Sequence, residues 1–582
     1  MVALEHPRHR KVLFAVAVGV GLGITACTGV IDPTGASRGA MGGPADSATP
    51  GGGSGAMGAA GSAGTTSTMS SNPEVPKARL HKLTSSEFAN SIHDLLGKDV
   101  PVSEVEPDTE LDGFNTIGAS VVSVSAAGVS LYETAVDEAV AYAFENATRA
   151  ATVLSCVPQS TTDACLASAL QTFGRRAFRR PLTTEETTRF SGLASSIGDE
   201  AKSVLVGLRY AVSAMLQSPS FLYRAELGAP SQADGGRLKY TSFEMTSRLA
   251  AALWNTVPDA ELLNAADNDG LATADAVRAQ AERMLAAPRA RDALATFVDD
   301  LYGMDRLAIT FKDAGTFPEW NDSLRASMHE ELTRRLDDMV FATKGDFLSL
   351  YDNRTVFVNN QLAKIYGLPE VMPDAFRKLE LPADSPRVGL LGSGAILAAY
   401  ALPQRTSPTA RGKFVNLTLL CKAVPPPPPG VDTSLPPSAD PNASVRQRLE
   451  AHRTNPTCAA CHTLMDPIGL GLESFDSLGR YRTADNGHPI DASGDVNGAH
   501  FASAAELGAR LRQDPAAAAC VVSKLYAHAQ GRSGIPIDDA ALAELTRQFD
   551  AAGHRADQLL VSLVASDAFR FVVPATAAKG MP

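Results

Sequence analysis

Length, composition and charge already exclude several classes of protein. The chain has 582 residues, of which 45% are hydrophobic, and its formal net charge is −12. This length predicts about three to five folded units, and the apolar share is large enough to give them hydrophobic cores. Because the chain is acidic overall, with a formal net charge of −12, no nucleic-acid partner is expected.

Residues 1–27 have the pattern of a secretory signal. Arg8, Arg10 and Lys11 form a basic start, and the apolar run VLFAVAVGVGLGITA follows them. The run is shorter than the roughly 20 residues that span a bilayer, which favours a signal peptide over a membrane helix. It ends in ITAC, which resembles a bacterial lipobox, so Cys27 is predicted to become an acylated N-terminus. The alternative is an ordinary signal peptide in which this cysteine has no role.

Residues 28–76 are predicted to be a disordered tether rich in Gly, Ala, Ser, Thr and Pro. Such a composition cannot bury enough apolar area to offset the entropy of ordering the chain. As a flexible coil it would reach roughly 35–40 Å, so the folded part would be attached to the membrane through the lipid alone. Thr28, not Asp, follows the cysteine, which resembles the sorting signal for the outer membrane of a bacterial envelope.

The folded part is predicted to be mainly α. Three threonines are each followed three residues later by a glutamate, the signature of a capping box at a helix start. These pairs are Thr84–Glu87, Thr183–Glu186 and Thr241–Glu244. Apolar residues then recur at helical spacing, and no alternation with a two-residue period is long enough for a sheet. We therefore expect a multi-domain helical assembly.

Two segments of the chain resemble each other. Residues 156–228 and 498–573 are both expected to place a cysteine at the head of a helix, Cys165 and Cys520, and both close with Ser-x-x-Phe. The shared order of features predicts two similar helical modules that arose by duplication. The alternative is chance similarity between helical sequences rich in Ala and Leu.

The motif that carries chemistry is C-A-A-C-H, formed by Cys458, Cys461 and His462. This spacing is typical of c-type haem attachment, in which two thiols bond to the porphyrin and the adjacent histidine binds the iron as proximal ligand. A thioredoxin-like site would require a preceding strand, and a zinc site would require a further ligand, neither of which the neighbouring sequence offers. One covalent haem c is predicted.

The ligand on the second face of the haem is left open. Met465 is rejected, because it follows His462 by three residues and lies on the same side of the porphyrin. The other candidates are histidines, a distant methionine or an open site. The histidines are His452, His488, His500 and His528. A backbone carbonyl, at Pro467, is expected to accept a hydrogen bond from His462 and fix its ring.

Two acidic and two basic residues follow the motif. Glu473 and Asp476 are expected near Arg480 and Arg482. They are interpreted either as ion pairs or as neighbours of the haem propionates.

Four further cysteines form an even set, which in an exported protein indicates two disulfides. They are Cys156, Cys165, Cys421 and Cys520. Three pairings are possible. Cys156–Cys165 closes a short loop, and by analogy between the two modules Cys421–Cys520 is the second predicted bond. The alternative is four buried free thiols.

These observations give predicted boundaries for the whole chain. They are 1–27 for the signal peptide, 28–76 for the tether, 77–155 for an N-terminal helical domain, 156–228 for the first module, 236–370 for a central helical domain, 385–485 for a c-type haem-attachment domain and 498–573 for the second module.

Several strings occur in an order that resembles a known family. They include LHKLTSSEFANSIHDLLG, RRAFRRPLTTEE, FVNNQLAKIYGLP, RTSPTARGKFVNLTLLCKAVPPPPPGV, CAACHTLMDPIG and KLYAHAQGR. They are similar to the planctomycete-type cytochrome c-like exported haem proteins, built from domains of unknown function 1587, 1595, 1592, 1588 and 1585 in series. The resemblance implies covalent haem at the motif but no established reaction. AHAQGR departs from the expected YALGR, which singles out His528 as a ligand or pocket residue.

Three functions remain open. The chain is expected to be a lipoprotein of the bacterial envelope that transfers electrons through one haem to an unknown redox partner or extracellular substrate. Alternatively it is a haem-dependent enzyme with an open distal site, or a binding or scaffold lipoprotein with structural haem. In the predicted folded part, from residue 77 onward, no G-x-S-x-G or H-E-x-x-H run indicates a hydrolase, and no catalytic residue is predicted.

Overall fold

The computed structural model describes residues 79–572, apart from 235–236, 427–439, 441 and 535–537. All of these described residues belong to one compact unit. The predicted signal peptide, the acylated Cys27 and the tether lie outside the described residues, so they stay predictions.

The first part of the described chain is a helical bundle edged by short strands. Its elements are β1 (Arg79–Lys82), α1 (Ser85–Leu96), α2 (Asn115–Ala119), α3 (Ala126–Ala143), α4 (Ala147–Val153), α5 (Cys165–Ala177), α6 (Thr184–Glu200), α7 (Val204–Leu216), α8 (Pro219–Leu222), β2 (Tyr223–Glu226), β3 (Ala229–Asp234) and β4 (Arg237–Lys239).

The central part is also mainly helical. Its elements are α9 (Ser242–Trp254), α10 (Ala260–Ala266), α11 (Ala274–Ala286), α12 (Arg289–Tyr302), α13 (Met304–Ile309), α14 (Asp322–Asp337), β5 (Thr355–Val358), α15 (Asn360–Tyr366), β6 (Arg377–Glu380), α16 (Gly394–Ala399) and α17 (Pro408–Phe414). A π-helical turn, Val415–Leu419, extends α17.

The last part contains the predicted haem motif and the second module. Its elements are α18 (Val445–His452), α19 (Pro456–Leu470), β7 (Ala484–Asp485), β8 (His488–Pro489), β9 (Gly494–Val496), β10 (Ala499–Phe501), α20 (Ala504–Gln513), α21 (Pro515–Gln530), α22 (Asp539–Ala551), α23 (Ala556–Ala565), α24 (Asp567–Arg570) and β11 (Phe571–Val572).

The strands of the described chain form only small antiparallel sheets. β1 pairs with β2, β5 with β6, β7 with β8 and β9 with β10, while β4 lies between β3 and β11. The prediction of a mainly α fold is therefore confirmed. No helix in the described residues is long and apolar enough to cross a bilayer.

All three predicted capping boxes are present. In each, the threonine side chain accepts from the backbone N–H three residues on, and the glutamate accepts from the backbone N–H of the threonine. The boxes satisfy N–H groups that the first turn of a helix leaves unpaired. They start α1, α6 and α9, as the sequence predicts.

The described apolar side chains form two large cores. One core is built by α1 and α3–α8, and the other by α2 together with α9 and later elements. A buried ionic cluster links the two. Glu226 on β2 accepts from Arg224 at 3.0 Å and is paired with Arg248 on α9 and with His81 on β1. Arg248 also donates to the side-chain oxygen of Gln530 on α21 at 2.8 Å.

The two predicted modules share an order of elements, because three helices, a one-turn helix and a strand follow one another in both. One detail of the prediction is wrong. Cys165 is the first residue of α5, but Cys520 lies inside α21. The helix starts earlier because Asp514 caps it, its side chain accepting from the Ala516 N–H, and Pro515 occupies the first turn, where proline is tolerated.

Candidate functional site

The predicted haem motif lies at the start of α19. Cys461 and His462 follow Cys458 by three and four positions. In a helix this spacing places all three side chains on one face. Both thiols are free and partly exposed, and the Cys461 thiol donates to the Pro425 carbonyl at 3.4 Å. The other four described cysteines form two disulfides, Cys156–Cys165 and Cys421–Cys520. Both predicted pairings are therefore confirmed.

The imidazole of His462 is held by a buried carboxylate one turn further along the helix. The His462 Nδ1–Asp466 Oδ2 distance is 2.9 Å, and the Asp466 side chain is completely buried. Because a carboxylate only accepts, Nδ1 must carry a proton, and Nε2 takes no part in this hydrogen bond. The second oxygen of Asp466 accepts from the Thr409 hydroxyl on α17 at 2.8 Å. The ring is thus oriented with one nitrogen available to a ligand.

The predicted partner of His462 is wrong. The Pro467 carbonyl, expected to accept from the imidazole, instead lies against Gly494 on β9, where a β-carbon would collide with it. The reason is helical geometry: the residue four positions after a histidine shares its face, whereas the backbone carbonyls point along the axis.

Helix α19 is positioned by close packing against α17. A β-carbon at Gly412 would collide with the Met465 carbonyl, and one at Gly469 would collide with the Pro408 carbonyl. Glycine at these two positions lets the two backbones approach. The Asn416 amide adds a hydrogen bond of 2.9 Å to the Leu464 carbonyl.

Arg411 on α17 holds the chain that leaves α19. Its side chain is completely buried and donates to the backbone carbonyls of Leu472 and Phe475 at 2.8 Å and of Asp476 at 2.7 Å. Burial lowers the pKa of Arg411 to about 10. Through these hydrogen bonds the guanidinium stabilises the loop that follows α19, which has no regular secondary structure.

The acidic and basic residues after the motif form ion pairs. Arg480 Nε lies 2.6 Å from Asp476 Oδ2, and an Arg482 guanidinium nitrogen lies 2.8 Å from Glu473 Oε2. The same Glu473 oxygen accepts from the Thr406 hydroxyl at 2.8 Å. Of the two hypotheses for these residues, the structure supports ion pairs.

The candidate ligands for the second face are dispersed. His452, the last residue of α18, packs edge-to-face against His462 with ring centroids 4.8 Å apart. His488 and His500 lie in the hairpins β7–β8 and β9–β10. Met465 is buried. Of the four histidines, the structure brings His452 to the motif.

Comparison with known protein families gives five matches in series, each described as a protein of unknown function. They are DUF1587 at residues 81–145, DUF1595 at 165–226, DUF1592 at 240–368, DUF1588 at 387–485 and DUF1585 at 497–569. This order is the arrangement of the planctomycete-type cytochrome c-like proteins. The chain belongs to that family. The comparisons with curated proteins and with solved structures found no match.

Every residue that builds the motif region of this cytochrome c-like chain falls within the DUF1588 match. The motif, Asp466, Thr409 and Arg411 all lie between residues 387 and 485. Sequence reasoning missed Asp466, Thr409 and Arg411. A signal for Asp466 was present, because it follows His462 by four residues in a helical segment. The other two depend on how α17 packs.

A second feature of the cytochrome c-like chain is a cavity of about 520 Å³ on the other side of α17. Residues from four of the five matched domains line it, among them Phe114, Asp300, Phe414 and Lys524. Tyr400 covers Phe414, with ring centroids 4.6 Å apart. The volume is in the range of small-molecule sites, which often lie between domains.

His528, the local departure from the family pattern, lies beside this cavity. Its ring packs edge-to-face on Phe114 and Phe297, and its Nδ1 is buried without a hydrogen bond, 4.0 Å from Asp300 Oδ2. Burial raises the pKa of Asp300 to about 7 and lowers the pKa of His528 to about 4. Its two predicted roles, as a ligand or as a pocket residue, stay predictions.

Proposed function

We propose that this protein is a cell-envelope lipoprotein that carries one covalently attached c-type haem and transfers single electrons to or from an unidentified partner or substrate. One observation carries the proposal: two free thiols and an oriented imidazole occupy one face of α19. The donor set fits the group, because both thiols are partly exposed and Nε2 of His462 is not used by Asp466.

The residues that would hold the haem have distinct tasks. Cys458 and Cys461 would form the two thioether bonds, and His462 would bind the iron through Nε2. When bound, the haem supplies one-electron chemistry. Asp466 fixes the tautomer of His462, and Thr409 fixes Asp466. The haem-attachment domain would correspond to the DUF1588 segment, which follows the central helical domain and precedes the second module.

The exported location is supported by two features of the chain. The two disulfides fit an oxidising compartment, which is also where c-type haem is attached. The apolar N-terminal run that ends at Cys27 fits acylation and an outer-membrane lipid anchor.

A haem-dependent enzyme is the second candidate function. The cavity favours it. A single-electron carrier needs only one small domain around its haem, whereas this cavity is lined by residues of four matched domains. Asp300 lines the cavity, and its pKa, raised by burial to about 7, would let it exchange protons there.

The test is expression of the full chain with its signal peptide in bacteria that have haem c maturation machinery. We expect one haem per chain in the pyridine haemochrome spectrum, recovered in the membrane fraction. Replacing both Cys458 and Cys461 by alanine should abolish covalent haem. The control removes the disulfide thiols instead, as Cys156→Ala with Cys165→Ala, and should keep the haem. An undiminished haem-stained band in the first double variant would refute the proposal.

A further inference from the structure

Asp466, the carboxylate that accepts a hydrogen bond from His462, has no cationic lysine or arginine partner among the described residues. Asp466 is completely buried, and the hydrogen-bond donors that reach it are His462 at 2.9 Å and Thr409 at 2.8 Å. In the described part of the chain, no lysine or arginine lies within ion-pair distance of it. A buried negative charge must be balanced by its hydrogen-bond partners.

This arrangement has a direct effect on the donor strength of the imidazole. A carboxylate that accepts from one ring nitrogen increases the electron density on the other and makes it a more basic ligand. A more basic axial ligand stabilises the higher charge of the oxidised metal. Hydrogen bonds behind the axial ligand are one of the means by which a protein sets the reduction potential of haem iron.

We propose that Asp466 is a positioning residue that makes His462 an electron-rich axial ligand and so holds the site at a low reduction potential. The inference rests on the proposed haem function. With haem bound, reduction would be a one-electron step, and the hydrogen bond between His462 and Asp466 would keep the Nδ1 proton between the two residues.

Asp466→Asn tests the charge alone. Asparagine keeps the size of the side chain and an acceptor oxygen for His462, and its amide can donate to the Thr409 hydroxyl. We expect the ratio of reduced to oxidised protein at a fixed ambient potential to rise at least tenfold, which is an upward shift of about 59 mV for a one-electron couple. The measurement is a spectroelectrochemical titration of the full-length protein with dithionite as reductant.

Thr409→Val separates the electronic effect from a loss of packing. The threonine hydroxyl withdraws charge from Asp466, so its removal should make the carboxylate a stronger acceptor and move the potential downward. A merely structural role would shift both variants in the same direction. Haem content, from the pyridine haemochrome spectrum, is measured in parallel.

The outcomes are distinct. Opposite shifts in the two haem-loaded variants support the proposal. An unchanged or lowered potential in Asp466→Asn, or a raised one in Thr409→Val, overturns it and leaves the haem assignment intact. A wild-type chain without covalent haem overturns both.

Discussion

Two acid–histidine pairs, one beside α19 and one beside the cavity, differ in almost every respect. On the α19 side, His462 and Asp466 belong to one helix and share a hydrogen bond of 2.9 Å. On the cavity side, Asp300 and His528 come from separate family domains, lie 4.0 Å apart and share no hydrogen bond. In the first pair, a hydrogen bond to a buried carboxylate holds the imidazole in one orientation. In the second, burial favours the neutral form of both groups, and a carboxyl pKa raised to about 7 is the kind of shift found at proton-exchanging sites.

The α19 side depends on a rigid support, and its removal should give the largest effect. Arg411→Met leaves the carbonyls of Leu472, Phe475 and Asp476 buried without their donor. We expect a loss of about 3–5 kcal/mol in the free energy of unfolding, measured by urea denaturation with circular dichroism. The matched control is Lys413→Met, which changes an exposed cation on the same helix and should cost less than about 0.5 kcal/mol. Equal stability of the two variants would contradict the role given to Arg411.

Adding a single methyl group where α17 packs against α19 should destabilise the protein. In Gly412→Ala the new β-carbon meets the Met465 carbonyl, which belongs to helix backbone and cannot rotate away. We expect destabilisation of about 1–3 kcal/mol despite the better helix propensity of alanine. Gly192→Ala in α6 is the control, because a β-carbon there meets nothing within 4 Å. It should stabilise by about 0.5–1 kcal/mol, and the same sign for both variants would argue against close packing at the crossing.

Local features of this fold were predictable from sequence, and tertiary ones were not. The capping boxes at Thr84, Thr183 and Thr241 depend on residues three apart, and the disulfides followed from the number of cysteines and the module comparison. The start of α21 was predicted at Cys520, but the helix begins at Pro515, because Asp514 caps it.

In the candidate site, too, the local features were predictable from sequence and the tertiary contacts were not. The motif on α19 is local, and Asp466 could have been found from its four-residue spacing to His462. Thr409 reaches that carboxylate only because α17 and α19 pack together. The meeting of Asp300 with His528 depends on how distant domains assemble, and nothing near either residue in the sequence indicates it.

The cavity pair should be visible in the pH dependence of stability, which gives the smallest effect. The pKa of Asp300 is raised to about 7 in the folded protein, so between about pH 4 and 7 the folded state holds a proton that the unfolded state releases. Stability from this group therefore falls as pH rises through that window. The pKa of His528 is lowered to about 4, so between about pH 4 and 6.5 the unfolded state holds the extra proton and stability rises with pH.

Single substitutions should separate these opposing slopes. Relative to wild type, the free energy of unfolding of Asp300→Asn should increase with pH between about 4.5 and 7, and that of His528→Gln should decrease, by at most about 1.4 kcal/mol per pH unit. Urea denaturation at several pH values measures both curves, and the buried His81 contributes equally to each and cancels. If the pair were instead a charged ion pair, the Asp300→Asn curve would be flat between about pH 4.5 and 7, because Asp300 would then titrate below pH 4. The His528→Gln curve would not decrease between about pH 4.5 and 6.5, because His528 would titrate above pH 6.5.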